Sequence, residues 1–183
     1  MAPTIEASWT APASSNGDLP SGYRLYIDNS LGGEFNLVFD GSFDQPATFS
    51  FVIENDIVCG SIYYLEVTAI NVAGESDATQ GEIWVGEPSS PPLRPRMTSI
   101  LPLDQVTIAW DFPLDTGCLP PRHYSINRDG TDIATVGPED ATFTDDISSV
   151  GDFAMGTLIV YKISANNIAG DGEYSVELAV TVG

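Results

Sequence analysis

This chain has few positively charged residues. Its 183 residues include 26 Asp and Glu but 6 Lys and Arg, which gives a formal net charge of −20 and a pI near 4.1. Lys162 is the single lysine and His123 the single histidine. Because so negative a chain repels phosphate groups and anionic membrane surfaces, we expect no nucleic-acid partner and no membrane insertion.

Long apolar runs and helical periodicity are absent as well. No stretch is apolar over the roughly 20 residues that a bilayer-spanning helix needs, and the N-terminal residues show no signal-peptide pattern. The hydrophobic fraction of 43% is nevertheless enough for a core. The 17 Gly and 13 Pro separate short segments rich in β-branched and aromatic residues, which predicts an all-β protein.

Recognised catalytic and metal-binding motifs are missing too. The sequence has no Gly-x-Ser-x-Gly, His-Glu-x-x-His, phosphate loop or Cys-x-x-Cys. The acidic pairs Glu139-Asp140 and Asp145-Asp146, and the cluster Glu54-Asn-Asp56, offer hard oxygen ligands for calcium but lack the EF-hand spacing. We interpret them as a solvated acidic surface, and we predict no enzymatic activity, no cofactor and no metal site.

An internal repeat is present and sets the number of domains. Trp9 and Tyr23 recur 101 residues later as Trp110 and Tyr124, and Asn-x-Ala-Gly at 71–74 recurs 96 residues later at 167–170. A Pro-rich segment, Gly86–Pro92, lies between the copies and reads as a short, stiff linker. We therefore predict two domains, 1–87 and 88–183. Within the second, Asp129-Gly130 predicts a tight hairpin.

The order of these motifs resembles the fibronectin type III family over essentially the whole chain. The resemblance rests on Trp-x-x-Pro, on Gly-Tyr-Arg-Leu-Tyr at 22–26, and on the segment 60–76 that ends in Asn-Val-Ala-Gly-Glu-Ser. It implies two tandem immunoglobulin-like β-sandwiches of seven strands, A to G. It also implies a corner tyrosine at Tyr63, which the second copy replaces by Ile159.

The first copy departs from the family pattern because only eight residues precede Trp9, and these read as strand B. The first domain is therefore predicted to lack strand A. Three explanations stay open: the chain is a fragment of a longer repeat array, a neighbouring subunit donates the strand, or the domain tolerates a shortened edge. Under the first two, the functional object is longer than this chain.

Two cysteines occur, one in each predicted domain. The strand directions that the resemblance implies place Cys59 before strand F and Cys118 between strands B and C, at the ends that meet at the linker. We predict a disulfide between them that fixes the inter-domain angle and stabilises by about 4 kcal/mol through loop entropy. Two buried thiols are the alternative. A disulfide would indicate an oxidising compartment, extracellular or at the cell surface.

Surface residues offer two further candidate sites. Strand alternation turns Tyr26 and Tyr64 outward, and Trp84 joins them if Ile83 points inward, although alignment with Val180 argues for the opposite orientation of Trp84. Such aromatic residues stack on sugars or pack on a subunit. Ser89 and Ser90, flanked by Pro, are candidate O-glycan acceptors by composition.

The function predicted from these features is structural or adhesive. The chain reads as a link of an extracellular filament or strut that contacts itself or neighbouring repeats, with a donated strand as one mode of contact. The alternative is a pair of accessory modules that bind carbohydrate or protein for a secreted enzyme. The acidic charge belongs to both copies, since residues 1–87 carry −12 and residues 88–183 carry −8.

Overall fold

The computed structural model describes residues 2–15, 17–42, 45–100, 105–148 and 156–182. The regular elements in these ranges are all β-strands, which confirms the predicted fold class. No helix of a length and apolarity suited to a membrane crossing occurs in the same ranges. The chain divides into two compact units, Met1–Gly86 and Glu87–Gly183, which are called domain 1 and domain 2 below.

In the described part of domain 1, seven strands form two antiparallel sheets. One sheet pairs β1 with β4. The other has the order β3-β2-β5, with β6 and β7 both paired to β5. The strand bounds are β1 Ile5–Ser8, β2 Gly22–Ile27, β3 Asn36–Asp40, β4 Ser50–Ile53, β5 Ile62–Asn71, β6 Gly74–Glu75 and β7 Thr79–Trp84.

The described part of domain 2 repeats this plan and adds one strand. Its smaller sheet has the order β12-β9-β8, and its larger sheet has the order β11-β10-β13, with β14 and β15 both paired to β13. The strand bounds are β8 Leu93–Ser99, β9 Gln105–Asp111, β10 His123–Arg128, β11 Thr131–Val136, β12 Thr142–Asp146, β13 Leu158–Asn167, β14 Gly170–Tyr174 and β15 Leu178–Thr181.

Strand register makes the two domains comparable residue by residue. Ile5 of β1 lies opposite Ile53 of β4, as Val106 of β9 lies opposite Asp145 of β12. Strands β1 to β7 thus correspond in order to β9 to β15. Strand β8 has no counterpart among the described residues of domain 1, which agrees with the predicted absence of strand A.

The repeated Asn-x-Ala-Gly motif has the same structural role in both domains. The side-chain carbonyl of Asn71 accepts a hydrogen bond from the Ala73 amide at 2.9 Å, and that of Asn167 accepts one from Ala169 at the same distance. Each asparagine also donates its side-chain amide to a carbonyl of an earlier loop: Asn71 to Asp18, between β1 and β2, and Asn167 to Thr116, between β9 and β10. The motif therefore fastens the turn after the long strand to that loop.

The cores of the two domains differ in completeness. In the described part of domain 2, twelve buried residues form one cluster around Trp110 and Tyr124. The cluster in domain 1 has six, with Ile5, Leu25 and Tyr63 among them, and Trp9 packs at its margin. Since apolar burial is the main stabilising term, domain 2 has the larger share of it.

The predicted corner tyrosine is present in domain 1. The Tyr63 hydroxyl donates to the Asp56 carbonyl at 3.1 Å and accepts from the Val58 amide at 2.9 Å. Its counterpart Ile159 is fully buried in the core of domain 2. The position therefore belongs to the core in both domains, and in domain 1 its hydroxyl also holds a loop.

The segment after Gly86 is attached to domain 2, which corrects its interpretation as a plain linker. The Glu87 amide donates to the Gly117 carbonyl at 3.0 Å, and the Ser90 amide donates to the Asp115 carbonyl at 2.8 Å. Asn167 donates its side-chain amide to the Glu87 carbonyl at 2.7 Å. The prolines set an extended backbone, but these hydrogen bonds hold it in place.

The hairpin between β10 and β11 forms at the predicted dipeptide. Asp129 and Gly130 both have positive φ, at 50° and 88°. Two successive residues of positive φ are the condition for the type I′ turn, whose twist matches that of the flanking strands.

Candidate functional site

Domain 1 is open where domain 2 has its extra strand. Here β1 has β4 on one edge and no strand on the other among the described residues. A groove of about 690 Å³ runs between this open edge and β7. It is lined by the segment 5–13, by 79–83, and by Leu25, Leu65 and Val67 of the larger sheet. This open groove is the principal candidate site of the chain.

The groove exposes positions that are buried in the other domain. Ile83, opposite Tyr63 on β5, is 37% exposed, whereas Val180, opposite Ile159 on β13, is 3% exposed. Leu65 and Val67 are half-buried, but their counterparts Tyr161 and Ile163 are completely buried. The apolar floor of domain 1 therefore lacks a covering that domain 2 supplies from its own chain.

A glycine widens the groove further. Gly81 lies opposite Leu65, and the equivalent position, opposite Tyr161, is occupied by Leu178. Leu178 packs against the core of domain 2. A Cβ built at Gly81 meets no atom within 4 Å, so the space that Leu178 fills in one domain is open in the other.

The backbone of β1 offers hydrogen bonds to this opening. The Trp9 amide donates to the Phe49 carbonyl on the β4 side at 2.9 Å, and the equivalent Trp110 amide donates to Ala141 at 3.1 Å. Because successive residues of an antiparallel strand alternate in direction, the N–H and C=O groups of Glu6 and Ser8 point to the open edge. In domain 2 the equivalent edge is occupied by β8.

Acidic residues stand at the rim of the groove. Glu6 and Glu82 are both exposed lining residues. In domain 2 the acid beside the extra strand is Asp111, which pairs with Arg96 at 2.9 Å and with Arg94. Hydrogen bonding from Arg96 and the charge of both arginines hold the pKa of Asp111 below its usual value. In domain 2, two arginines of the extra strand thus pair with one acid of the neighbouring strand.

The aromatic residues predicted as a binding face do share one face of the larger sheet. Tyr26 lies opposite Glu66, Tyr64 opposite Glu82, and Trp84 opposite Ile62, so all three have the same parity. Trp84 is 39% exposed and Tyr64 37%, while Tyr26 is half-buried. The sequence left the orientation of Trp84 open. Its side chain points outward, because Ile83, and not Trp84, is the counterpart of Val180.

Tyr26 belongs to a hydrogen-bonded group on this face that the sequence did not reveal. The Glu75 carboxylate accepts from Thr68 at 2.5 Å, from Tyr26 at 3.1 Å and from Arg24 at 2.6 Å. The Thr68 bond, the Tyr26 bond and the charge of Arg24 together hold the pKa of Glu75 below its ordinary value of 4.5. Arg24, the one cation of residues 1–87, also pairs with Asp40 at 3.3 Å.

A buried polar triad in domain 2 was also missed. Arg128 donates to both carboxylate oxygens of Asp145, at 2.9 and 2.8 Å, and the Tyr161 hydroxyl donates to the same carboxylate at 2.6 Å. Burial raises the pKa of Tyr161, and its bond to Asp145 adds to the effect. The equivalent positions in domain 1 are Ile27, Ile53 and Leu65, so the triad replaces an apolar cluster.

Cys59 and Cys118 are both disulfide-bonded, so the structure contains a disulfide and the alternative of two free thiols is wrong. Of the candidate glycan acceptors, Ser89 is 3% exposed, with its hydroxyl 3.5 Å from the Thr116 carbonyl. This burial does not fit modification of Ser89 in the folded chain. Ser90 is half-buried, and its hydroxyl accepts from the Asp115 amide at 3.2 Å.

His123, for which no catalytic role is predicted, makes a structural contact. His123 lies 3.0 Å from the Asn166 side-chain amide, between β10 and β13. In the part of the chain that the structure describes, no three His, Cys, Asp or Glu residues are grouped so as to hold a metal ion.

Comparison with known proteins gives the fold a name. No protein-family model matches the chain. The FN1–FN3 domains of chicken CNTN1 are similar to it with a TM-score of 0.56 and 16% identity, over 98% of this chain and 60% of that one. The two-domain fibronectin type III segment of chicken tenascin gives a TM-score of 0.46 and 15% identity, over 98% and 92%.

The chain thus spans less than two thirds of the CNTN1 segment. At this identity the likeness establishes the fold. The chain consists of two tandem sandwiches of the fibronectin type III type, as the resemblance implied.

Proposed function

We propose that this chain is a non-catalytic structural or adhesive segment of an extracellular or cell-surface protein, a link of a filament or strut. Its neighbours, copies or other repeats of the same protein, join it at the open edge of β1 through a donated strand. The observation that carries this proposal is the open groove of domain 1, with its unpaired strand edge and uncovered apolar floor.

The net charge explains why a directional contact is needed. A chain of −20 repels its own copies at low ionic strength. Strand pairing overcomes this repulsion with a row of backbone hydrogen bonds that also fixes orientation and register. Unpaired strand edges associate readily, and the short β1, four residues long, limits how far such pairing extends.

The disulfide supports the location. Disulfides persist in oxidising compartments and are uncommon in reducing ones.

The test is the assembly state of the chain with its disulfide intact. We expect sedimentation velocity to show concentration-dependent oligomers, and negative-stain electron microscopy to show linear chains. Ser8→Pro removes an amide that faces the open edge of β1 and should return the protein to monomer. Ala179→Pro is the control: it places a proline in the last strand of domain 2, away from the open edge of β1, and should leave assembly through that edge unchanged. A wild-type chain that is monomeric at every concentration would contradict the proposal.

A second candidate function is favoured by the outward parity of Trp84, Tyr64 and Tyr26. Exposed aromatic rings on one sheet face are suited to stacking on sugar rings, as in an accessory module of a secreted enzyme. In this case a glycan array should show binding that Trp84→Ala abolishes. A substitution of Trp110, which is buried in domain 2, should leave that binding unchanged. Absence of glycan binding by the wild type would remove this candidate.

A further inference from the structure

We infer that the open groove binds a positively charged, extended β-strand of a neighbouring polypeptide, which lies antiparallel to β1 and covers the floor formed by Ile83, Leu65 and Val67. This inference rests on the proposed function and names the chemistry of the strand that the groove selects. Domain 2 supplies the template, because there the same place is filled by β8.

The hydrogen bonds fix the direction of the incoming strand. In domain 2, Arg96 lies opposite Ala109 and Met97 opposite Ile108, in antiparallel pairing. The equivalents of Ala109 and Ile108 are Ser8 and Ala7. A strand in this register therefore bonds to the Ser8 backbone, on the edge that β4 leaves open.

The side chains of the groove select apolar residues on the inner face of that strand. Ile83 and the half-buried Leu65 and Val67 form an apolar floor, and the absent side chain at Gly81 leaves space above it. In domain 2, Leu178 and Ile100, the residue after the extra strand, both pack on the core. An incoming aliphatic residue would occupy the room over Gly81 and remove the floor from water.

The rim selects charge on the outer face. Glu6 and Glu82 border the groove, and residues 1–87 carry −12 with Arg24 as their one cation. In domain 2 the outer-face partners of Asp111 are Arg94 and Arg96, both on β8. Two of the six cations in the chain thus lie on the strand that domain 1 lacks. A strand of similar charge would offset the acidity of domain 1 as it completes the sandwich.

The probe for this inference is a synthetic, labelled peptide with the sequence of residues 93–100, added to the full chain with its disulfide intact. We expect saturable binding, with amide chemical-shift changes confined to β1 and β7. A peptide in which both arginines are replaced by glutamate should bind at least tenfold more weakly. Raising the salt concentration should weaken the native peptide and narrow this difference, because rim charges are screened.

Two variants of the chain serve as controls. Gly81→Leu reproduces the residue that domain 2 carries together with β8, so this variant should still bind the peptide of residues 93–100. Ser8→Pro should reduce affinity by removing an edge amide. If either variant is poorly folded, the other, together with the charge-reversed peptide, still decides the question.

Equal binding of the native and charge-reversed peptides, undiminished binding by Ser8→Pro, or shift changes confined to other surfaces would each overturn the inference. These outcomes are separate from the failure of the proposed function. A chain that assembles into filaments but ignores the peptide would refute the cationic strand alone. A monomer that binds the peptide in the groove would refute self-assembly and support the strand.

Discussion

Ile83 and Val180 occupy the same inward position on the last strand of their domains, yet Ile83 is 37% exposed and Val180 is 3% exposed. The difference does not arise from their own strands, which pair in the same register with β5 and β13. It arises because β8 covers one sandwich and no described strand covers the other. This single difference leaves the apolar floor of domain 1 more exposed than its counterpart in domain 2.

The hydroxyl of Tyr63 ties the loop before β5 to that strand. Tyr63→Phe removes the bonds to the Asp56 carbonyl and from the Val58 amide, and we expect domain 1 to lose about 1–2 kcal/mol of unfolding free energy. Urea denaturation monitored by domain 1 resonances measures the loss. Tyr26→Phe is the matched control, since its surface bond to Glu75 should be worth less. Equal losses of stability in the two variants would contradict a stabilising role for the Tyr63 hydroxyl bonds.

The triad of Arg128, Asp145 and Tyr161 can be compared directly with its apolar counterpart. Asp145→Ala removes the carboxylate that accepts hydrogen bonds from the partly buried Arg128 and from the Tyr161 hydroxyl, and should destabilise domain 2 by about 3–5 kcal/mol. The triple variant Arg128→Ile, Asp145→Ile, Tyr161→Leu installs the residues of domain 1 and should restore stability to within about 1 kcal/mol of the wild type. Thermal unfolding measures both. A triple variant as unstable as Asp145→Ala would mean that the ionic network itself carries the stability.

The lowered pKa of Glu75 predicts an acid-dependent stability of domain 1. A carboxyl whose pKa is depressed in the folded state stabilises above its unfolded pKa, near 4.5, and this contribution is lost as pH falls through the folded pKa. The free energy of unfolding should therefore decline as pH falls below about 5, and the decline should be shallower in Glu75→Gln. Glu34→Gln, an exposed change outside the group, is the control. An unchanged slope in Glu75→Gln would contradict the assignment.

The repeat explains how much of the fold could be predicted. Trp9 and Tyr23 recur 101 residues later and Asn71 recurs 96 residues later. Each performs the same packing or hydrogen-bonding task in its domain, so this repeat was enough to predict two sandwiches. The open edge of β1 was predicted from the strand pattern around Trp9, and among the described residues β1 pairs with β4 alone. The sequence pattern and its repetition were thus sufficient to predict the features that the two domains share.

Features in which the domains differ were harder to predict. The orientation of Trp84 depends on the register of β7 with β5, and a shift of one residue in the alignment reverses it. The triad escaped notice because Arg128, Asp145 and Tyr161 lie on three strands of two sheets, and only sheet packing joins them. Comparing positions 27, 53 and 65 with 128, 145 and 161 would have shown three apolar residues exchanged for polar ones. The burial of Ser89 likewise depends on a loop remote in sequence.

Amide hydrogen exchange at Ser8, compared with its counterpart Ala109, tests the open edge most directly. Both amides face the edge at which a first strand belongs, and that edge is paired in domain 2 alone among the described residues. In the intact chain we predict that the Ser8 amide exchanges at least about 100-fold faster than that of Ala109, while Ala7, which faces β4, is protected. Equal protection of Ser8 and Ala109 would show that the edge of domain 1 is already covered, and would contradict the account.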